Sequence, residues 1–158
     1  AGIPTLLSHV VNAYNYEKLP DWVRYIANRF PGIGVFFFFV YPSVKGLKHA
    51  DMYPRLSDVA PYWYEALAVV DELGVPITVD NLAGFPPCFM RGFEHHSKYA
   101  HSRQAVEEIG LEADDHTIKE PEMRHAPGCA GCKWEDVCPG FWIDYMDRFG
   151  DDEFLAVT

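Results

Sequence analysis

Apolar positions along the first half of the chain switch between continuous runs and helical spacing. IPTLLSHVVN, Ile3 to Asn12, is rich in aliphatic and β-branched residues and predicts a buried strand. NYEKLPDWVRYIANRFPG follows with Leu19, Trp22, Val23, Ile26 and Phe30 at helical spacing, Asn15 as N-cap and Pro31-Gly32 as the stop. GVFFFFVYP is an apolar run ending at Pro42, the pattern of a parallel strand covered on both faces. A polar loop extends to about Arg55, and a second helix is signalled by Ser57 as N-cap, Asp58 in the first turn, apolar Trp63, Leu67, Val70 and Leu73, and Gly74 as stop. Pro61 falls in its first turns, where proline is tolerated. VPITVDNLAG gives a third strand, so the three strands and two crossovers predict a parallel βαβαβ unit. Such a sheet leaves two open edges, and the chain begins almost directly at a strand. The expectation is that further sequence covers one edge.

From Phe85 onward the periodic apolar segments give way to glycines, histidines, charges and cysteines, with a weakly helical stretch at Gln104 to Ile109. Phe141, Tyr145 and Phe149 stand four residues apart and predict a short closing helix. Length and a hydrophobic share of 49% allow one core and a small satellite. The formal charge of -10 repels phosphate backbones and anionic lipid, which argues against nucleic acid and membrane partners. The longest apolar run, around Val35 to Val40, is too short to span a bilayer, and the N-terminus lacks a basic region leading into an apolar one. These features predict a cytoplasmic protein.

In a reducing compartment paired disulfides are disfavoured, and three of the four cysteines crowd into CAGCKWEDVC. The cluster points to metal. Thiolates are soft ligands, and four of them suit an iron-sulfur cluster or tetrahedral zinc. Zinc ribbons pair two short C-x-x-C knuckles, whereas only Cys129-x2-Cys132 has that spacing here; Cys138 follows, and Cys88 lies about forty residues upstream. Burial of the four as inert small hydrophobes is the plain alternative.

Cys88, a gap, Cys129-x2-Cys132-x5-Cys138, then Gly140 and Tyr145, resembles the auxiliary-cluster region of radical S-adenosylmethionine enzymes of the SPASM and twitch type. IPTLLSHVVNAYNYEKLPDWVRYI looks like the fourth strand and following helix of their partial (β/α)6 barrel, VFFFFVYPSVKG like the fifth strand, and VPITVDNLAGFPPC like the sixth, leading into the first auxiliary cysteine. The resemblance implies an α/β fold: residues 1-87 as the C-terminal half of a partial parallel (β/α) barrel, and residues 88-158 as a small irregular twitch-like cluster domain. It further implies an auxiliary [4Fe-4S] cluster on Cys88, Cys129, Cys132 and Cys138, supporting radical modification of a peptide or small-molecule substrate. In the complete enzyme it implies S-adenosylmethionine, the missing N-terminal half of the barrel, and an electron donor such as flavodoxin or ferredoxin. The chain departs from the family in lacking the CxxxCxxC loop of the catalytic cluster and the further cysteines of a full SPASM domain. The one-cluster twitch arrangement is therefore the better match, and activity of this chain alone is not implied. The reading from another class is a non-catalytic binding module stapled by a four-cysteine zinc site.

Alternation on the first strand puts Leu6, Ser8, Val10 and Asn12 on one face and Leu7, His9 and Val11 on the other. By the resemblance, Ser8 and Asn12 are candidates to contact S-adenosylmethionine or substrate; the plain alternative is that Asn12 opens a turn and Ser8 bonds backbone. Asp80 and Asn81 stand at the third strand's end, where active sites form, or serve as turn formers. His95, His96 and His101 crowd together, but adjacent histidines on an extended segment point to opposite faces, which predicts a solvated loop. Arg91 and Lys133 flank cysteines and either tune a cluster by charge or are simply solvated.

Overall fold

A computed structural model describes residues 5–40, 46–79, 85–97 and 122–158. Asp80, Asn81, His101 and the Gln104 to Ile109 stretch lie outside the described residues. Strands β1 (Leu6–Val11), β2 (Gly34–Phe39) and β3 (Ile77–Val79) form a parallel sheet in the order β1-β2-β3. Helix α1 (Leu19–Arg29) connects the first pair and α2 (Leu56–Leu73) the second, and the two helices pack on one another.

Register explains which side the helices cover. His9 lies opposite Phe37 and Val11 opposite Phe39. His9 packs 4.1 Å from Trp22 of α1, and Phe37 packs 5.2 Å from Trp63 of α2. Val11, Val35, Phe37 and Phe39 are buried on that face. Leu6, Ser8 and Val10 point the other way and are exposed, beside half-buried Phe36 and Phe38. Both crossover helices thus pack on one side of β2, and its other face, with Phe36 and Phe38, is half-buried rather than covered by a helix of the unit.

Helix ends also differ from the sequence reading. Asn15 caps no α-helix: its Oδ1 accepts from the Asn12 N–H at 2.9 Å and its Nδ2 donates to Val10 O at 2.8 Å, closing the turn after β1. A 3-10 turn at Tyr16–Lys18 then leads into α1, and Phe30 stands just past its end, exposed. At α2 the N-cap position belongs to Arg55, and Ser57 is already inside the helix. The orphan donors there are met from far along the chain. Ser57 N–H and Oγ donate to Glu153 Oε1 at 3.2 and 2.5 Å, while Leu56 N–H donates to the Tyr145 hydroxyl at 2.6 Å. Gly74 ends the helix as expected, in the left-handed region at φ 61°.

The C-terminal segment is built from β4 (Met123–Arg124) and β5 (Phe141–Trp142), which pair antiparallel, and α3 (Ile143–Phe149). The closing helix therefore begins after Phe141, whose backbone is taken by β4. Trp63 stacks on Phe85 at 4.1 Å, and Phe39 lies 5.5 Å from Phe85, 6.1 Å from Phe141 and 6.2 Å from Tyr145. One core therefore runs from the sheet through residue 87 into the C-terminal segment, each fully buried aromatic contributing about 1.5–3 kcal/mol.

Tyr145 donates to Glu153 Oε2 at 2.5 Å while accepting from Leu56, so its hydroxyl ties α3 to α2. Tyr145→Phe strands the buried Leu56 N–H, and the expected cost is about 1–3 kcal/mol. Urea unfolding should show a lower midpoint with an unchanged slope.

Candidate metal centre

Three turns bring the cysteines together. Cys88 sits in a 3-10 turn, Pro87–Phe89, set up by the Pro86-Pro87 pair and closed by Phe89 N–H on Pro86 O at 2.9 Å. Phe85, Phe89 and Met90 are buried around it. Cys129 ends a second 3-10 turn, Pro127–Cys129, and Cys132 N–H donates back to Cys129 O at 3.0 Å. Gly131 supplies the φ of 74° that this tight return needs. Glu135 reaches back to accept from the Gly131 N–H at 3.0 Å. The third turn is closed by Cys138 N–H on Trp134 O at 2.8 Å.

After Cys138 the chain passes hard against β4. At Gly140, φ is 87° and a Cβ would lie 2.1 Å from Arg124 O, so only glycine fits there. The extreme C-terminus then laces the cysteine loop: Lys133 N–H donates to Val157 O at 2.8 Å, Ala156 N–H to Gly128 O at 2.7 Å, and Val157 N–H to Cys132 Sγ at 3.4 Å.

All four cysteines line a single cavity of about 390 Å³, counting the part open to solvent. Its apolar wall includes Phe141, Met146 and Phe154. None of the four is in a disulfide. Burial pushes the Cys88 thiol up to about 12, with the Cys138, Cys129 and Cys132 sulfurs adding repulsion in that order. Burial likewise raises Cys138 to about 11 and raises Cys129, in each case against a lowering backbone hydrogen bond. The thiols thus feel one another's charge, and bringing all four to thiolate requires a cation between them.

Four thiols on one cavity are a donor set for an iron-sulfur cluster or for a tetrahedral zinc. A tetrahedral zinc with Zn–S of about 2.3 Å draws its sulfurs to about 3.8 Å from one another. Trp134 also lines the cavity, and its buried indole N–H has no hydrogen-bond partner. A sulfur-rich guest would offer it an acceptor.

The remaining candidates separate. Ser8 and Asn12 do not line this cavity. Ser8 is exposed on the sheet face away from α1 and α2. Asn12 forms a turn, its Oδ1 accepting from the Tyr14 N–H at 2.9 Å and its Nδ2 donating to Val10 O at 3.2 Å. Arg91 is exposed, and Lys133 pairs with Glu94 at 3.8 Å. His95 and His96 depart from the sequence reading: their segment is a 3-10 turn, Glu94–His96, and both rings face Asp71. Sequence reasoning missed His125, Trp134 and Glu135 of the cavity wall. The spacing of Glu135 four residues after Gly131 was a readable cap for the turn. His125 had no such signal, because its contact, Nε2 to Cys138 O at 2.6 Å, crosses from one turn to another.

Comparison of the chain with protein-family models, with curated proteins and with solved structures gives no match.

The raised thiols predict slow alkylation of the metal-free protein. Each unit of pKa removes a factor of ten in thiolate, so at pH 8 Cys88 should react with iodoacetamide at least about a hundredfold more slowly than an ordinary cysteine. Its rate should still be rising as pH passes 10, because its thiol ionises only near 12. Peptide mapping of the labelled protein reads both quantities, and a Cys88 rate that levels off near pH 9 would contradict the burial argument.

Proposed function

We propose that this chain is the C-terminal part of a radical S-adenosylmethionine enzyme of the twitch type, whose Cys88, Cys129, Cys132 and Cys138 hold an auxiliary [4Fe-4S] cluster. The observation that carries the reading is the convergence of four thiols from three turns on one cavity. Thiolates on the four corners of such a cluster stand about 6 to 7 Å apart. A zinc-stapled module is the weaker account because only Cys129 and Cys132 have the short knuckle spacing that zinc ribbons use in pairs. Unpaired thiols also suit the cytoplasmic location that the reading expects, and no helix among the described residues is long and apolar enough to cross a membrane.

Bound in this cavity, the cluster would supply an electron-relay centre or a structural staple. The chain's own part is to hold it. Four cysteines fill its four corners, which leaves no iron open to substrate. Phe141, Met146 and Phe154 exclude water from one side. The Val157 N–H on Cys132 Sγ, at 3.4 Å, offsets charge on the ligating sulfur.

Support for the partial barrel comes from the parallel order β1-β2-β3 with both crossover helices on one side. In a barrel the opposite face lines the interior. Exposed Leu6, Ser8 and Val10 with half-buried Phe36 and Phe38 form such a face here, and Ser8 is a polar member available to S-adenosylmethionine or a peptide or small-molecule substrate. Asn12 is less suited, since its amide closes a turn. The missing half of the barrel would pair with the edge of β1 and bring the CxxxCxxC loop, and a flavodoxin or ferredoxin would deliver electrons.

Anaerobic reconstitution with iron and sulfide tests the cluster. The expected product is brown and carries about four iron and four sulfide per chain. Cys88→Ser should lower iron content and charge-transfer absorbance as much as Cys129→Ser does. A Cys88→Ser protein that keeps the full spectrum would remove Cys88 from the centre and with it the twitch reading.

A further inference from the structure

A second set of ligating side chains lies outside the cysteine cavity, since none of its members lines that cavity. Asp71 is on the last turns of α2, and His95 and His96 are on the 3-10 turn Glu94–His96. That turn is closed by His96 N–H on Phe93 O at 3.0 Å and Ser97 N–H on Glu94 O at 2.9 Å. In a 3-10 turn neighbouring side chains diverge by about 120°, less than the half-turn of a strand, so two adjacent histidines can reach one point. Their rings lie 4.0 Å apart, and both Nε2 atoms approach Asp71 Oδ1, at 3.3 Å for His95 and 2.7 Å for His96. The three ligand atoms all lie within 4.8 Å of one another.

We propose that Asp71, His95 and His96 form a binding site for a divalent transition-metal ion of the zinc type. The two imidazole nitrogens are borderline donors, and with them beside one carboxylate oxygen the set selects zinc, cobalt or nickel over magnesium and calcium. Ligand bonds of about 2.0–2.2 Å in tetrahedral geometry separate the ligand atoms by about 3.3 Å. The His95 to Asp71 distance already has that value, and the His96 contact at 2.7 Å needs only a small side-chain rotation to open. Three protein ligands leave one position for water. The turn is anchored on both sides, by half-buried Phe93 and by buried Ser97, which bridges to Val79 of β3. Little backbone ordering therefore opposes binding. The ion would brace the end of α2 against the segment that follows Cys88, and this site does not depend on the nature of the cysteine centre.

Anaerobic cobalt(II) titration of the full chain, with bound metal counted by equilibrium dialysis, tests the proposal. Cobalt on cysteine shows an intense thiolate-to-metal charge-transfer band, whereas cobalt on nitrogen and oxygen does not. Wild type should bind an equivalent that adds no intensity to that band. Asp71→Asn and His96→Ala should each weaken this equivalent by at least about tenfold, and leave the thiolate band unchanged, which reports an intact fold. Absence of any equivalent beyond the thiolate-linked cobalt, or its persistence at equal affinity in both variants, would overturn the proposal. The thiolate band reads the cysteine centre separately, so failure of that centre to load leaves the result at Asp71, His95 and His96 interpretable.

Discussion

The arrangement depends on where the last residues of the chain go. The Glu153 carboxylate sits at the N-terminus of α2, accepting from Ser57, from Arg55 Nε at 3.1 Å and from the Tyr145 hydroxyl, and it complements the positive end of the helix dipole. Burial alone would raise its pKa, but the hydrogen bonds from Ser57, Tyr145 and Arg55 outweigh it and hold the group below the usual carboxylate range. Next to it, Phe154 is buried and walls the cysteine cavity, and Ala156 and Val157 then bond the cysteine loop. One short strap thus fixes the loop carrying Cys129 and Cys132 against the helix that covers the sheet. Cys88 reaches the same cavity because Phe85 and Phe89 anchor its turn in the common core.

Electrostatics gives this geometry its chemical meaning. Burial first, and the neighbouring sulfurs after it, raise the Cys88, Cys129 and Cys138 thiols, which favours their protonated form in the metal-free site. Such a site is stable only as thiols or as a metal complex, and metal uptake must release protons. The Cys138 thiol illustrates the alternatives. Protonated, it lies 3.9 Å from Gly140 O as a weak donor; ionised, it has no use for that carbonyl and needs a cation instead.

The sheet was legible because strand runs and helix periods are local signals: the segments read as strands contain β1, β2 and β3, and Gly74 ends α2 as its sequence suggests. What escaped was long-range. Ser57 looks like an N-cap because of its type and position, but the cap comes from Glu153, which no nearby pattern announces. That both helices pack on one side of β2 was not readable, because the apolar run VFFFF reads the same either way. The candidate metal residues were half legible. Cysteine spacing marked four thiols, while the pairing of His95 with His96 required knowing that the backbone curls at Glu94–His96.

We propose above all that four cysteines from three turns share one multinuclear iron-sulfur centre. Iron-edge X-ray absorption of the anaerobically reconstituted protein addresses it directly. The account predicts a sulfur shell together with a metal–metal shell around iron. A sulfur shell alone, or metal content dominated by a single zinc, would contradict it.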